Sequence, residues 1–374
     1  MTTQWRGQAW SGGGDPHAPT PGLAGLAARG VNFSQATTPH PFGPFARAAM
    51  LTGTPSPENG VVDYFDPLPP SSRTIAHDLG EAGYRTAHFG KWHLAQRDPS
   101  APLVGEVHAR QIVPPDSRGG FGFWEGFESG FLLNDPWLHG TRNPEPVQFF
   151  GYQSDVLANR ASEWVSDQTG PWFAVVSMEA PHPPYDADVP DGFRNEEAIE
   201  LLLRDNVSSS ARDRAARELR GYYRHIAATD AAIGRLLAAL PEEVIVVVTS
   251  AHGDMHGSHG KFRKGWPHEE SVRVPFLVSG DPGRERGWID QSPVSLVDLP
   301  DMSLAWSEGR TWECRRDRAP ISMPSVVGLP DQCDRVWSGW RSAERKVISL
   351  ADGSPWLEFD LADDPFEQRN LAPR

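Results

Sequence analysis

The chain has 374 residues, a length that allows one large domain and a smaller one around a substantial core. Apolar residues make up 39% and charged residues 22%, which is typical of a globular protein. The net charge of -14 argues against nucleic acid as a partner, because phosphate binding needs a basic surface. A small anion is still permitted, since a local basic pocket can lie in an acidic protein.

The sequence shows no membrane span and no targeting segment. No apolar run is long enough to cross a bilayer, and the opening "MTTQWRGQAW" lacks the apolar core of a signal peptide. We therefore expect a cytoplasmic protein without a membrane partner. Cys314 and Cys333 are too few for a disulfide framework, and their spacing matches no zinc site.

Helix and strand patterns alternate along most of the chain. Residues 74–95 predict a helix, a glycine turn and a strand that ends near "GKWH". Residues 171–185 predict a short apolar strand and then a proline-rich loop that carries His182. A 3.6-residue apolar period over 216–240 predicts a helix, and the β-branched run 243–250 predicts a buried strand. We predict an α/β fold with a mostly parallel central sheet and helices on both of its faces.

Two regions depart from this alternation. Residues 96–160 are rich in proline, glycine and tryptophan, and we interpret them as an excursion over the site. From about residue 311 short strands follow one another, which predicts a small antiparallel unit. We predict two domains, an α/β domain over 1–310 and a C-terminal antiparallel subdomain over 311–374.

Polar side chains follow three of the predicted strands. Lys91 and His93 close the first, His182 follows the second, and His252 follows the third. Ligands of parallel α/β sheets bind at the carboxyl ends of strands, so these residues mark a candidate site by position alone. Lys91 and His93, two residues apart, also share one face of their strand.

Six segments, in this order, resemble the sulfatase family of the alkaline phosphatase superfamily. They are "HAPTPGLAGLAARGVNFSQATT", "ARAAMLTG", "AGYRTAHFGKWHL", "APHPPY", "VVVTSAHGDMHGSHG" with "KGWPHEESVRVPFLV", and "VSLVDLP" with "FDLADDPFEQRNLA". The resemblance runs nearly from end to end. It implies a formylglycine, made from Cys or Ser, that attacks sulfur as its hydrate. It also implies a divalent cation, usually Ca²⁺, held by two Asp of the first strand and by an Asp with Asn or His of a late strand. Lys and His then bind the sulfate and protonate the leaving group.

This sequence departs from the family at the nucleophile and at the metal ligands. Matching Arg47 to the motif's arginine places Gly43 at the nucleophile position, and glycine has no side chain to convert or to attack with. Ala251 stands where the resemblance puts a ligand Asp, Thr3 lies near the place of another, and His252 remains. We therefore expect no formylglycine, no bound metal and no other cofactor, because one histidine cannot hold a hard cation.

A cationic cluster remains and carries the prediction. We predict Lys91, His93, His182 and Lys264 as catalytic residues, and Arg47 and His252 as substrate-binding residues. Lysine and arginine bind oxyanions through charge-assisted hydrogen bonds, and histidine can transfer protons near neutral pH. The expected partner is a small anionic molecule that carries sulfate, phosphate or carboxylate. Each residue also has a structural alternative, such as a loop anchor for Arg47 or a surface lysine for Lys264.

Three functional interpretations stay open. The first is an enzyme of altered chemistry, which hydrolyses with activated water or acts as a lyase, a transferase or a cyclase. The second is an inactive pseudo-sulfatase that binds an anion or a protein partner. The third is an ordinary sulfate-ester hydrolase whose start is mis-assigned. The first requires Lys91, His93, His182 and Lys264 to converge near Gly43.

Overall fold

The computed structural model describes residues 1–194 and 201–373. Its α-helices are α1 (Pro21–Ala28), α2 (Gly43–Thr52), α3 (Ile75–Glu81), α4 (Glu106–Ala109), α5 (Gln153–Ser166), α6 (Arg212–Ala238), α7 (Glu269–Val272) and α8 (Leu299–Ser307). Its strands are β1 (Gly30–Phe33), β2 (Arg85–Lys91), β3 (Phe123–Phe127), β4 (Trp137–Gly140), β5 (Val147–Gln148), β6 (Trp172–Ser177), β7 (Val246–Thr249), β8 (Phe276–Ser279), β9 (Trp288–Asp290), β10 (Ala319–Met323), β11 (Trp337–Arg341), β12 (Arg345–Leu350) and β13 (Pro355–Asp360).

The predicted α/β fold class is confirmed, with a parallel centre and antiparallel outer strands. One sheet has the order β5-β4-β3-β2-β6, in which β2 runs parallel to both β3 and β6. A second sheet has the order β7-β8-β1-β9, with antiparallel pairs on both sides of β8. The β-branched run of β7 is therefore a strand as predicted, but its direct neighbour is antiparallel.

The first residues of the chain lie between these two sheets. The Met1 amino group donates to the Val176 carbonyl at 2.9 Å, and the Thr2 amide donates to the Thr249 carbonyl at 2.9 Å. Thr2 pairs with Ser250 in the parallel direction. This short segment thus joins β6 to β7 at their carboxyl ends, where the predicted site residues follow.

Helices cover the central strands on both faces. Helices α2, α3 and α8 bury side chains such as Leu51, Leu79 and Met302 in one core cluster. Leu157 of α5 and Ile226 of α6 belong to a second cluster. Apolar residues of α6 that are one heptad apart lie on the same face of the helix, and this face packs into the second cluster.

The region 96–160 differs in part from its prediction. It contributes β3, β4 and β5 to the first sheet, so it is more than an excursion. These strands are two to five residues long, too short for a visible two-residue period among glycines and tryptophans. Leu103, Val104 and Phe131 of the same region do line the cavity described below.

The C-terminal antiparallel sheet is present as predicted, with order β10-β11-β12-β13. The sequence patterns missed its first strand, β10, which lies within a stretch of arginines and prolines. Met323, Trp337 and Ile348 of this sheet belong to the same core cluster as the side chains of α2 and α3. The boundary at residue 310 stays a prediction. No helix in the described ranges is long and apolar enough to cross a membrane.

Candidate functional site

A cavity of about 730 Å³ opens beside the carboxyl ends of β2, β6 and β7. We call it the cationic cavity. It brings together most of the residues predicted from sequence, and its lining includes Gly43, Lys91, His93, His182, His252 and Lys264. The four predicted catalytic residues therefore meet at Gly43, as the enzyme interpretation requires.

Lys91 ends β2 and is almost fully buried. Its Nζ lies 2.6 Å from Oε1 of Glu179 and 4.4 Å from the ring centre of Phe131. Burial lowers the pKa of Lys91 to about 8, although the Glu179 carboxylate opposes this shift. Lys91 thus remains largely protonated at neutral pH and presents a positive charge to the cavity.

Lys264 supplies the second ammonium. Its Nζ lies 2.7 Å from Oε1 of Gln4 and 2.9 Å from Nε2 of His182. Burial and the charge of Lys91 lower the pKa of Lys264 to about 7. The His182 ring stacks on Phe131 with ring centres 4.5 Å apart. Phe131 therefore contacts both Lys91 and His182.

His93 occupies the space beside Gly43. A β-carbon at position 43 would lie 2.9 Å from Nδ1 of His93, closer than such contacts normally occur. Neither ring nitrogen of His93 has a protein partner in the described structure, although both are buried. Burial, and then the charges of Arg97 and Lys91, hold the pKa of His93 well below its usual value. His93 is thus a neutral imidazole with both nitrogens free for a ligand or water.

His252 is arranged in a similar way. Its Nδ1 lies 2.9 Å from the carbonyl of Gly253, which makes Nδ1 the donor and leaves Nε2 as an acceptor. That Nε2 is buried and has no partner among the described residues. Burial and the Lys264 charge keep the pKa of His252 well below its usual value.

Arg47, expected to contact substrate, does not line the cavity. Its guanidinium is buried and donates to the Lys91 carbonyl at 3.0 Å, to Ser177 Oγ at 2.6 Å and to Thr3 Oγ1 at 2.9 Å. These bonds tie α2 to β2, to β6 and to the first residues of the chain. The structure therefore corrects this expectation, since Nη1 and Nη2 of Arg47 are bonded to neighbouring residues and the side chain is absent from the cavity lining.

Charged side chains of both signs also line the cavity. Arg263 pairs with Glu218 at 2.6 Å. Arg217 and Arg224, which are seven residues apart on α6, also line the cavity and form no ion pair within the described ranges. Asp186, Glu218 and Asp331 line the same cavity and balance these arginines, so its positive charge comes from Lys91 and Lys264.

The sulfatase family model matches residues 1–309. The chain belongs to the sulfatase family. The ulvan-active sulfatase of Formosa agariphila is 32% identical over 99% of this chain and 76% of its own length. A multifunctional alkaline phosphatase superfamily protein, PehA of Trinickia caryophylli, is 26% identical over 96% of this chain and 87% of its own. The crystal structure of the putative sulfatase yidJ from Bacteroides fragilis matches with a TM-score of 0.83 at 25% identity, over 99% of this chain and 90% of that one.

The residues of this sulfatase-family chain do not fit a calcium site. Such an ion takes six to eight oxygen ligands, whereas the expected carboxylate positions hold Thr3 and Ala251. The neighbouring carboxylate, Asp254, is already occupied. It accepts hydrogen bonds from the Gln4 side-chain amide and from the Tyr185 hydroxyl, the latter at 2.5 Å.

The Lys264 ammonium group is a second reason why these residues do not fit a calcium ion. It is bound to the other side-chain atom of Gln4, so an internal cation is linked through one amide to Asp254. A divalent cation at the same position would be repelled by the positive charge of this ammonium group. We therefore derive no chemical step through a metal.

Another cluster meets the geometric needs of a metal site but lies away from the cavity. His259, Glu270 and Glu367 bring ligand atoms within 4.8 Å of one another. Glu270 accepts from Arg204 at 2.9 Å, and Glu367 accepts from Lys346 at 2.6 Å. These cations already balance the carboxylates, so the cluster is explained as a buried ion-pair network.

Sequence reasoning missed the partners that position the cationic residues. Glu179 directly precedes "APHPPY", and its position next to that motif was a usable signal. Gln4 lies 260 residues from Lys264, and nothing in the sequence indicates that pair. Phe131 comes from the irregular region, where no pattern marks it as a wall of the site. Cys314 and Cys333 are both free thiols.

Proposed function

We propose that this sulfatase-family protein is a hydrolase of altered chemistry that cleaves a small anionic ester, foremost a sulfate ester, with water activated by His93. The observation that carries the proposal is the pairing of Gly43 with His93. The position of the family nucleophile has no side chain, and an imidazole with two free nitrogens lies 2.9 Å from where its β-carbon would be.

Binding of the ester's anionic group is assigned to Lys91 and Lys264. Both ammonium groups line the cavity, and charge-assisted hydrogen bonds to oxyanions are among the stronger polar contacts in proteins. The ten-residue helix α2 begins at Gly43 on the same wall, and the positive end of its dipole adds to the attraction for an anion.

The size of the cavity supports an organic ester rather than a bare ion. About 730 Å³ lies within the range of small-molecule sites. The related ulvan-active sulfatase makes a sulfated carbohydrate a reasonable first substrate class. Phosphate and carboxylate esters are the alternatives that the same cations would bind.

The proposed step uses water as the nucleophile. The water oxygen attacks sulfur, the bond between sulfur and the ester oxygen breaks, and one water proton passes to a ring nitrogen of His93. Lys264, whose Nζ lies 2.9 Å from His182 Nε2, donates a proton to the leaving alkoxide. The second water proton leaves with the sulfate product, and the proton taken up by His93 returns to Lys264 through solvent. The products are an alcohol and sulfate.

Substrate binding itself prepares His93 for this role. The pKa of His93 is low because of burial first and then because of nearby cations, among them Lys91 and Lys264. An anion bound between those ammonium groups offsets their charge. The pKa of His93 then rises, although burial still holds it down, and a higher pKa makes the imidazole a better base.

The test is turnover of a chromogenic aryl sulfate, and of its phosphate analogue, by purified protein treated with EDTA. We expect turnover that survives EDTA and that falls at least about 100-fold in His93→Gln and His182→Ala, a typical range for loss of acid–base catalysis. Sulfate binding, measured by calorimetry, should persist in His93→Gln. Turnover that is unchanged in both variants comes from a contaminant and contradicts the proposal.

A second candidate is an anion-binding protein without turnover. It is favoured by the absence of a nucleophile side chain at Gly43, since the covalent route of the family needs one. Sulfate binding that is lost in Lys91→Met and Lys264→Met, together with no turnover of any tested ester, would select this candidate.

A further inference from the structure

Lys264 differs from the other buried lysines of the chain in its partners. Lys91 and Lys346 are each paired with a carboxylate at 2.6 Å. The Nζ of Lys264 forms no ion pair among the described residues and contacts two neutral groups instead, Oε1 of Gln4 at 2.7 Å and Nε2 of His182 at 2.9 Å. These direct contacts therefore do not require a positive charge on Nζ.

Both neutral groups are fixed as hydrogen-bond acceptors. Nδ1 of His182 lies 2.7 Å from the carbonyl of the next residue, so Nδ1 carries the hydrogen and Nε2 accepts. The amide nitrogen of Gln4 donates to the Asp254 carboxylate, so the amide oxygen is the atom that contacts Lys264. A neutral amine has two hydrogens and one lone pair. The two acceptors take both hydrogens of Lys264 and leave its lone pair free.

The electrostatics of the cationic cavity also favour the neutral amine. Burial first, and then the positive charge of Lys91, lower the pKa of Lys264 to about 7. Arg263 acts in the same direction on this pKa, whereas Asp254 and Glu179 oppose the shift. Only the uncharged form of a lysine is a nucleophile, and a desolvated lysine next to a second cation is activated in this way.

We propose that Lys264 is the nucleophile of a second activity of the cationic cavity, the formation of an imine with a small aldehyde or ketone that carries an anionic group. The Lys91 ammonium lines the same cavity and binds the anionic group by a charge-assisted hydrogen bond. The cavity volume of about 730 Å³ accommodates such a molecule. This activity goes beyond the proposed hydrolysis, in which Lys264 only donates a proton.

The carbonyl oxygen of the bound molecule has a partner on the same lining. His93 is a neutral imidazole, so one of its ring nitrogens carries a hydrogen. Neither ring nitrogen has a protein partner in the described structure. His93 therefore donates a hydrogen bond to the oxygen while negative charge develops there.

The chemical step is balanced, with water as its only by-product. The lone pair of Nζ forms a bond to the carbonyl carbon, and the carbonyl π electrons move onto oxygen. His182 Nε2, which lies 2.9 Å from Nζ, accepts a proton from the amine and returns it to that oxygen. The carbon–oxygen bond of the carbinolamine then breaks, a carbon–nitrogen double bond forms, and the oxygen leaves as water with both amine hydrogens.

The experiment traps the imine by reduction at neutral pH. The protein is incubated with para-formylbenzenesulfonate and sodium cyanoborohydride, which converts an imine into a stable secondary amine. Peptide mass spectrometry then locates the adduct, and the chain has only four lysines to distinguish, Lys91, Lys261, Lys264 and Lys346. The matched neutral probe is para-formylbenzenesulfonamide, and para-formylbenzoate replaces the sulfonate by a carboxylate.

We expect Lys264 to be labelled at least about tenfold faster than Lys261, a half-buried lysine that does not line the cavity. The anionic probes should react faster than the neutral one, and inorganic sulfate should slow them. The rate at Lys264 should rise as the pH passes about 7, because only the deprotonated amine reacts. His182→Gln should lower this rate at least about tenfold. Lys261→Arg is the control and should leave it unchanged.

Equal labelling of Lys264 and Lys261, or equal rates for the sulfonate and sulfonamide probes, would overturn the proposal. If His182→Gln fails to fold, the comparison of the lysines in the unchanged protein still decides. No ester takes part in this measurement, so a failure of the proposed hydrolysis leaves its result unaffected. Ester turnover without any adduct at Lys264 would overturn the imine and keep the hydrolysis.

Discussion

The cationic cavity depends on two lysines for its charge. His93, His182 and His252 all have pKa values held well below the usual range, first by burial, so they are neutral at neutral pH. Lys91 and Lys264, with pKa values of about 8 and about 7, then titrate in the range where the histidines no longer do. If the cavity binds an anion as proposed, the protonation of these two ammonium groups controls that binding.

We predict that sulfate affinity falls as the pH rises from 6.5 to 9. The binding form is protonated, so affinity is full below the two pKa values and is lost as the pH passes about 7 and then about 8. The loss should reach up to about tenfold per pH unit for each lysine that titrates. Calorimetry across this range checks it, and Lys264→Met should flatten the profile. An affinity that rises with pH would contradict the assignment.

The close approach of Gly43 to His93 gives a second prediction. Gly43→Ala places a β-carbon 2.9 Å from Nδ1 of His93, so the imidazole must move. We expect the turnover of the EDTA-treated protein to fall at least about tenfold, because small displacements of a catalytic group are costly. Gly25→Ala is the matched control, since its β-carbon meets nothing within 4 Å. Equal turnover in both variants would remove His93 from the mechanism.

At the scale of elements, one buried arginine connects the elements that carry the site. Arg47 of α2 joins that helix to β2 through the Lys91 carbonyl, to β6 through Ser177, and to the first residues through Thr3. The helix, two strands and the start of the chain therefore keep their mutual positions through a single guanidinium. Lys91 is placed by the same contact, because its own carbonyl is an acceptor.

We predict that Arg47→Met lowers the free energy of unfolding by about 3 kcal/mol or more, since several buried acceptors lose a charged donor. Sulfate affinity of the folded fraction should also fall, because Lys91 loses its anchor. Denaturant unfolding and calorimetry measure the two effects. Arg220→Met, on the exposed face of α6, is the control and should change neither. Full affinity in folded Arg47→Met would refute the anchoring role.

Sequence patterns predicted the strands that carry the site and missed those that flank it. Strands β2, β6 and β7 are apolar runs followed by polar loops, and the tendency of ligands to bind at strand ends located Lys91, His93 and His182. Strands β3 to β5 are too short and too rich in glycine to show a period. The bond between Gln4 and Lys264 depends on tertiary structure alone, and so does the approach of His93 to Gly43.

At the scale of the molecule, the C-terminal sheet is part of the main core. Trp337 and Ile348 belong to the same apolar cluster as the side chains of α2 and α3. Buried ion pairs reinforce this contact, with Arg341 2.9 Å from Glu269 and Lys346 2.6 Å from Glu367. The predicted domain boundary therefore need not mark a unit that folds alone.

We predict that the chain ended at residue 310 is insoluble or lacks a cooperative unfolding transition. Removal of the sheet exposes its apolar partners and leaves Glu269 buried without Arg341. Circular dichroism and thermal unfolding test this. In the full chain, Lys346→Met should cost about 3–5 kcal/mol because it leaves the buried Glu367 carboxylate without its cation. A truncated chain that melts cooperatively near the full-length temperature would show an independent domain.

Gly43 has a consequence for how the protein matures. In the sulfatases that this chain resembles, the nucleophile is a formylglycine that is made from Cys or Ser. Position 43 offers no side chain for such a conversion, and the chain leaves the ribosome with this position in its final chemical form. Preparations from different hosts are therefore expected to be identical at position 43.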